Sequence, residues 1–178
     1  IDDDLMEIIK FEKKLMPHIH LSVQSGDNLI LKRMKRRHNR ETVIKICQDL
    51  KNHRKNITFG ADLIIGFPTE TDLHFKNTLD LITECKFNNV HFFPFSPRRN
   101  TPAEKMPQVL NSKIKSRIKK AKNFTHHLIQ EIAQKKIGQN IEILFETKDL
   151  SYTNNFYKVT IDSKNKKIEK MNGQIIKV

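Results

Sequence analysis

The segment His18-Ile19-His20-Leu21-Ser22-Val23-Gln24-Ser25-Gly26 puts two imidazoles on one face of an alternating stretch and ends in a polar, glycine-containing turn. Gln24 and Ser25 offer hydrogen-bonding groups to a polar ligand, and Gly26 lets the backbone approach one closely; an ordinary strand-to-helix turn has the same composition. His18 and His20 have no third ligand nearby in sequence, so they read as structural and no metal site is expected. A second segment, Gly60-Ala61-Asp62-Leu63-Ile64-Ile65-Gly66-Phe67-Pro68-Thr69-Glu70, sets Asp62 inside an apolar stretch, where a carboxylate needs a partner or a ligand. Glu70 falls in the first turn of the following helix, and the helix dipole is reason enough for it. Nothing in these patterns singles out a catalytic side chain.

Charge is the third signal. Lys and Arg total 33 against 20 Asp and Glu, a net charge of +13, which favours a polyanionic partner and above all nucleic acid. The excess concentrates in Lys32 to Arg40 and in Lys113, Lys115, Arg117, Lys119, Lys120 and Lys122, with no acid between 111 and 122. Either run alone could be a solvated face; the two together point to phosphate contacts. Phe92, Phe93 and Phe95 read as core, whereas Tyr152, Phe156 and Tyr157 are the better base-stacking candidates. Cys47 and Cys85, the two cysteines, exclude a disulfide framework, a cysteine-held zinc and an iron–sulfur cluster built from this chain alone.

The elements that must position these groups follow from periodicity. A helix is expected over 5–16, ended by Pro17, then a strand over 18–23 and a helix capped by Ser25 or Asp27 and running to Met34. Asn39 or Thr42 caps a helix bearing Val43, Ile46, Cys47 and Leu50; Ile57 to Ile65 is a strand; Thr69 or Thr71 caps the next helix. Asn88-Asn89 should break that helix before a strand over 90–95. This order predicts βαβ units and a parallel sheet or barrel sector. The proline-dense loop 96–110 should be irregular, 111–137 a long helix, and 141–147, 157–162 and 174–178 short strands of a small β-module. The division is thus 1–110, 111–137 and 138–178. Apolar runs fall far short of the ~20 residues needed to span a bilayer, and the acidic start lacks a signal-peptide pattern, so a cytosolic location is the expectation. A first residue that is Ile rather than Met suggests an internal piece of a longer protein.

In this order the segments resemble the radical-SAM tRNA methylthiotransferase family. His18 to Gly26, followed by Leu31-Lys32-Arg33-Met34-Lys35-Arg36, is similar to its fourth-strand region, and Asp62 to Thr71 to its fifth. Phe95-Ser96-Pro97-Arg98 with Thr101-Pro102-Ala103 is similar to the sixth-strand exit. Ala103-Glu104-Lys105-Met106-Pro107-Gln108-Val109 and Tyr152-Thr153-Asn154-Asn155-Phe156 resemble the subgroup acting on threonylcarbamoyladenosine beside the anticodon. The resemblance implies an α/β fold: the second half of a partial β/α barrel, then a TRAM-like RNA-binding β-module. It implies S-adenosylmethionine held by Gln24, Ser25, Gly26, Arg36 and Asp62, with Gly66 and Pro68 shaping the adenosine side. Arg36 suits the methionine carboxylate, and Arg98 faces substrate RNA with Lys113, Arg117, Lys120 and Tyr152 on the basic and aromatic surfaces. It further implies two 4Fe-4S clusters whose cysteine-bearing loop and N-terminal domain this sequence lacks, hence an inactive chain unless a separately encoded half completes it. The alternative is a truncated, non-catalytic RNA-binding module. Three departures stand out: Thr69 occupies a usual Gly position, Arg99-Asn100 a frequent Pro-Gly, and His38 a usual Tyr.

Overall fold

A computed structural model describes residues 1–147, 149–161 and 171–178. The elements run α1 (Asp3–Phe11), β1 (His18–Gln24), α2 (Asn28–Arg33), α3 (Arg40–His53), β2 (Thr58–Ile65), α4 (Asp72–Cys85), β3 (Phe87–Pro94), a 3-10 turn (Pro102–Lys105) and α5 (Asn111–Gln134). The short strands β4 (Glu142–Phe145), β5 (Ser151–Thr153), β6 (Lys158–Val159) and β7 (Gln174–Lys177) follow. The first three strands form a parallel sheet in the order β1-β2-β3, and the last four an antiparallel sheet in the order β6-β5-β4-β7.

Alternation decides which side of the parallel sheet is dry. Val23, Phe59, Ala61, Leu63 and Ile65 point to one face, where Val43, Cys47 and Leu50 of α3, Phe75, Leu79 and Ile82 of α4 and Ala121 of α5 complete the core. The other face carries His18, His20, Gln24, Asp62, Ile64, His91 and Phe93; among the described residues no helix packs on it, and the β-module covers its His18 end. Caps set the helix starts: Asp27 accepts from the N–H groups of Leu29 and Ile30, Asn39 from Thr42, and Thr71 forms a capping box with His74.

The elements depart from expectation in five places. Helix α1 stops at Phe11, where Glu12 turns out of helical geometry and its N–H closes on the Ile8 carbonyl. Helix α4 ends at Cys85 because Lys86 is left-handed (φ 53°), so Asn88 and Asn89 belong to β3 instead of breaking a helix. The proline loop contains the 3-10 turn at Pro102–Lys105, begun by a proline in the first turn. Helix α5 ends at Gln134, three residues before 137. Strand β5 replaces what reads as a polar turn, its Ser151 hydroxyl donating to the Thr147 carbonyl at 2.9 Å. The end of the strand expected over 157–162 and the Lys-rich stretch 163–170 lie outside the described residues.

Asn155 joins the two sheets. Its side chain donates to the Asn56 carbonyl at 3.0 Å, and its own carbonyl accepts from the Thr58 hydroxyl at 2.5 Å. Next to it, Phe156 lies between the rings of Tyr152 and His18, with centroids 4.8 and 4.7 Å away. Among the described residues no helix is long and apolar enough to cross a membrane.

Candidate functional site

Beyond the end covered by the β-module, this polar sheet face becomes a pocket at the C-terminal ends of the strands, the edge at which open α/β sheets place ligands. This cavity, about 440 Å³, is lined by Gln24, Asp62, Ile64, Phe93, Phe95 and Arg98, among others. Gln24 enters it with a left-handed backbone (φ 74°) beside an irregularity in the β1–β2 register. A non-glycine residue held there is strained, and such strain collects at functional sites. Arg98 is exposed at the mouth. A larger cavity of about 590 Å³ lies between α5, the start of β3 and the β-module; its Asn88 amide is buried, and neither atom is hydrogen-bonded among the described residues.

At the base of the pocket, the half-buried Asp62 is paired with two imidazoles. Its Oδ1 accepts from His20 Nε2 at 2.8 Å and from His91 Nδ1 at 3.1 Å, and the two rings stand 4.9 Å apart. Asp62 and His91 are direct register partners on β2 and β3. His20 thus meets Asp62 and His91, two groups of ligand type on neighbouring strands that spacing along one strand does not reveal. His91 is the member of this group that sequence reasoning misses; its place on the same strand face as Phe93 is the available signal. His18 faces the same side but bonds Thr58 Oγ1 at 2.8 Å, and burial, with the nearby His20, lowers its pKa to about 4.

Other expected site residues are claimed by the fold itself. Ser25 is buried and its hydroxyl accepts from the Asp27 N–H at 3.2 Å. Gly26 does not open the backbone to a ligand: its N–H donates to Thr78 Oγ1, and a Cβ there would lie 2.5 Å from the Thr78 Cα. Gly66, at φ +80°, makes room for the Ile114 side chain of α5 and donates to Glu70 Oε2 at 2.9 Å. Pro68 is buried behind it. Arg36 is exposed and its guanidinium donates to the Ser22 carbonyl on the outer strand at 2.9 Å; its other guanidinium N–H groups make no hydrogen bond among the described residues.

The cationic surface is smaller than the sequence count. Arg117 is not an RNA-facing side chain: it is buried, 2.7 Å from Glu70 and 2.8 Å from Asp72. Glu70 is thus half of a buried ion pair instead of a dipole-placed surface acid, and burial pushes its carboxyl above the usual range although Arg117 opposes this. Lys113 pairs with Asp72 at 3.0 Å. Arg33, Arg36, His38 and Arg40 spend donors on Thr69, Ser22, Val23 and Gly26. Lys115, Lys119, Lys120 and Lys122 stay exposed on α5 with no ion pair among the described residues. Tyr152 has one ring face taken by Phe156. Cys47 and Cys85 are buried in α3 and α4; a hydrogen bond between the thiols, together with burial, holds the Cys47 thiol far above its ordinary range. Neither cysteine fits a cluster ligand, which must be an accessible thiolate.

Residues 1–82 match the Radical SAM superfamily. Over 162 residues the chain is 48% identical to threonylcarbamoyladenosine tRNA methylthiotransferase MtaB of Rickettsia prowazekii (strain Madrid E), covering 91% of this chain and 38% of that protein. Over 147 residues it is 42% identical to tRNA-2-methylthio-N(6)-dimethylallyladenosine synthase of Ehrlichia ruminantium (strain Welgevonden), covering 82% of this chain and 33% of that one. The chain therefore spans between a third and two fifths of the length of these curated relatives. Among solved structures, coproporphyrinogen III oxidase from Escherichia coli, described as a radical SAM enzyme, superposes with a TM-score of 0.58 at 16% identity over 72% of this chain and 30% of that one. That likeness concerns the α/β fold alone.

Proposed function

Because the chain belongs to the radical-SAM tRNA methylthiotransferase family, we propose that it forms the C-terminal barrel sector of such an enzyme. In this reading its substrate is the threonylcarbamoyladenosine beside the anticodon of a cytosolic tRNA, and residues 138–178 act as a TRAM-like RNA-binding module. Residues 1–110 are the barrel sector and 111–137 the basic connecting helix. The observation that carries the reading is the pocket at the strand ends, where Gln24, Asp62 and Arg98 converge from the three family-like segments.

S-adenosylmethionine fits the chemistry of these residues: Gln24 and Asp62 line the pocket and offer acceptors for its ammonium group, and the exposed Arg36, anchored on the Ser22 carbonyl of β1, offers guanidinium donors for its carboxylate. When bound, it supplies the one-electron chemistry of this family. Ser25, Gly26, Gly66 and Pro68 contribute by holding the pocket wall against α4 and α5. The 4Fe-4S clusters do not fit, since both cysteines are buried between helices, so no step is assigned to a cluster on this chain. In the proposed enzyme the cluster ligands come from another polypeptide segment, and the chain by itself is inactive.

A narrower reading, an RNA-binding module without catalysis, is favoured by the exposed lysines of α5. Equilibrium dialysis of the chain with labelled S-adenosylmethionine separates the two. Saturable binding weakened by Arg36→Ala and Gln24→Ala supports the barrel sector; tRNA binding with no S-adenosylmethionine binding leaves only the module.

A further inference from the structure

We propose that His20, Asp62 and His91 form a site for one divalent first-row transition metal, of the zinc or cobalt class, on the floor of the sheet's open face. Three neighbouring strands each supply one ligand, and the candidate ligand atoms all lie within 4.8 Å of one another. His20 Nε2 and His91 Nδ1 approach Asp62 Oδ1 at 2.8 and 3.1 Å, close to the separation of ligands around a small tetrahedral ion. Two imidazole nitrogens and one carboxylate oxygen are a donor set suited to zinc, cobalt, nickel and iron, leaving coordination positions open.

A second feature shows that the site is built. His20 sits opposite Gly60 in the β1–β2 register, and a Cβ on Gly60 would lie 2.3 Å from His20 Nδ1. Only a residue without a side chain lets the imidazole lean across β2 to reach Asp62. Asp62 Oδ2 makes no hydrogen bond among the described residues, and all three side chains are open to solvent, His91 the most at 54%. The site uses no cysteine, so it is not an iron–sulfur site; it shares Asp62 with the proposed S-adenosylmethionine pocket, and metal binding by the chain alone is read independently of that reaction.

The test is titration of the untagged, chelator-treated chain with cobalt(II), followed by visible absorption, then displacement by zinc(II). The expected result is one equivalent bound with the d–d bands of a four- or five-coordinate ion. His91→Ala and Asp62→Asn each weaken binding by at least about tenfold. Gly60→Ala, which keeps every ligand but displaces the His20 ring, weakens it roughly 10- to 100-fold. Circular dichroism of each variant establishes that it is folded, and the exposed His91 is the substitution least able to perturb packing. Absence of saturable binding overturns the proposal. So does binding that survives His91→Ala and Asp62→Asn, or binding lost instead on replacing the adjacent His126 and His127 of α5.

Discussion

His18 sits where three kinds of contact meet: the Thr58 hydroxyl, the Phe156 ring and the neighbouring imidazole of His20. Burial is the main reason its pKa falls from 6.5 to about 4, with His20 adding to it. The folded state thus binds the proton less tightly than the unfolded chain. The resulting stability is complete above pH 6.5 and drains away as pH falls from 6.5 towards 4. Urea midpoints measured across that window should decline, and His18→Phe, which keeps the stack on Phe156, should flatten the decline; an unchanged acid limb would contradict this account. The family departures become intelligible at this scale too. Thr69 (φ 69°) and Asn100 (φ 64°) occupy left-handed positions where glycine is favoured. Asn tolerates that region, whereas Thr69 is held by Arg33 on its hydroxyl and by its N–H donating to the Pro107 carbonyl at 3.0 Å. The positions were readable from the sequence, but their backbone angles were not, because they come from long-range anchors. His38, in place of Tyr, meets the Val23 carbonyl at 3.0 Å.

Between elements, α5 is locked to the β2–α4 turn by a glycine and an ion pair. Replacing Gly66 with Ala strains a backbone at φ +80° and drives a methyl into Ile114, so it should destabilise by about 1–3 kcal/mol, with Ile114→Ala in the same chain recovering part of the loss. Gly26→Ala should find no such rescue, since what it meets is the backbone of α4. Arg117→Ala leaves the buried Glu70 carboxyl without its cation, and urea unfolding should register a loss of about 3–5 kcal/mol. Lys120→Ala, on the exposed side of the same helix, should stay within about 0.5 kcal/mol. Equal effects at the two positions would refute the division of α5 into a buried cation and a solvent-facing cationic side. Periodicity located the helices because their apolar stripes are strong. It could not tell Arg117 from Lys120, because the partners Glu70 and Asp72 are more than forty residues away.

Across the whole molecule the net charge is +13, and among the described residues Lys115, Lys119, Lys120 and Lys122 form a cluster of exposed cations without an ion pair on α5. Binding to tRNA should follow a log–log salt slope of several units, and replacing Lys119, Lys120 and Lys122 together by Ala should lower its magnitude by about 2. Salt-independent association would rule out the electrostatic surface. The outer edge of β1 has no strand beside it in the described sheet, so the isolated chain should oligomerise through it, which sedimentation at increasing concentration would detect; a monodisperse monomer would argue against it. The parallel sheet, its strand order and the family were legible because ordered motifs mark successive strand ends, whereas the His20–Asp62–His91 group needed the register of three strands. The central claim is that this polar sheet face completes a methylthiotransferase barrel. The direct test is to coexpress the chain with a fragment carrying the cluster cysteines and analyse the tRNA nucleosides by mass spectrometry. The account predicts 2-methylthio-threonylcarbamoyladenosine with both pieces, none with either alone, and loss of product on Gln24→Ala. Iron loading of the pair without any methylthiolated nucleoside would contradict it.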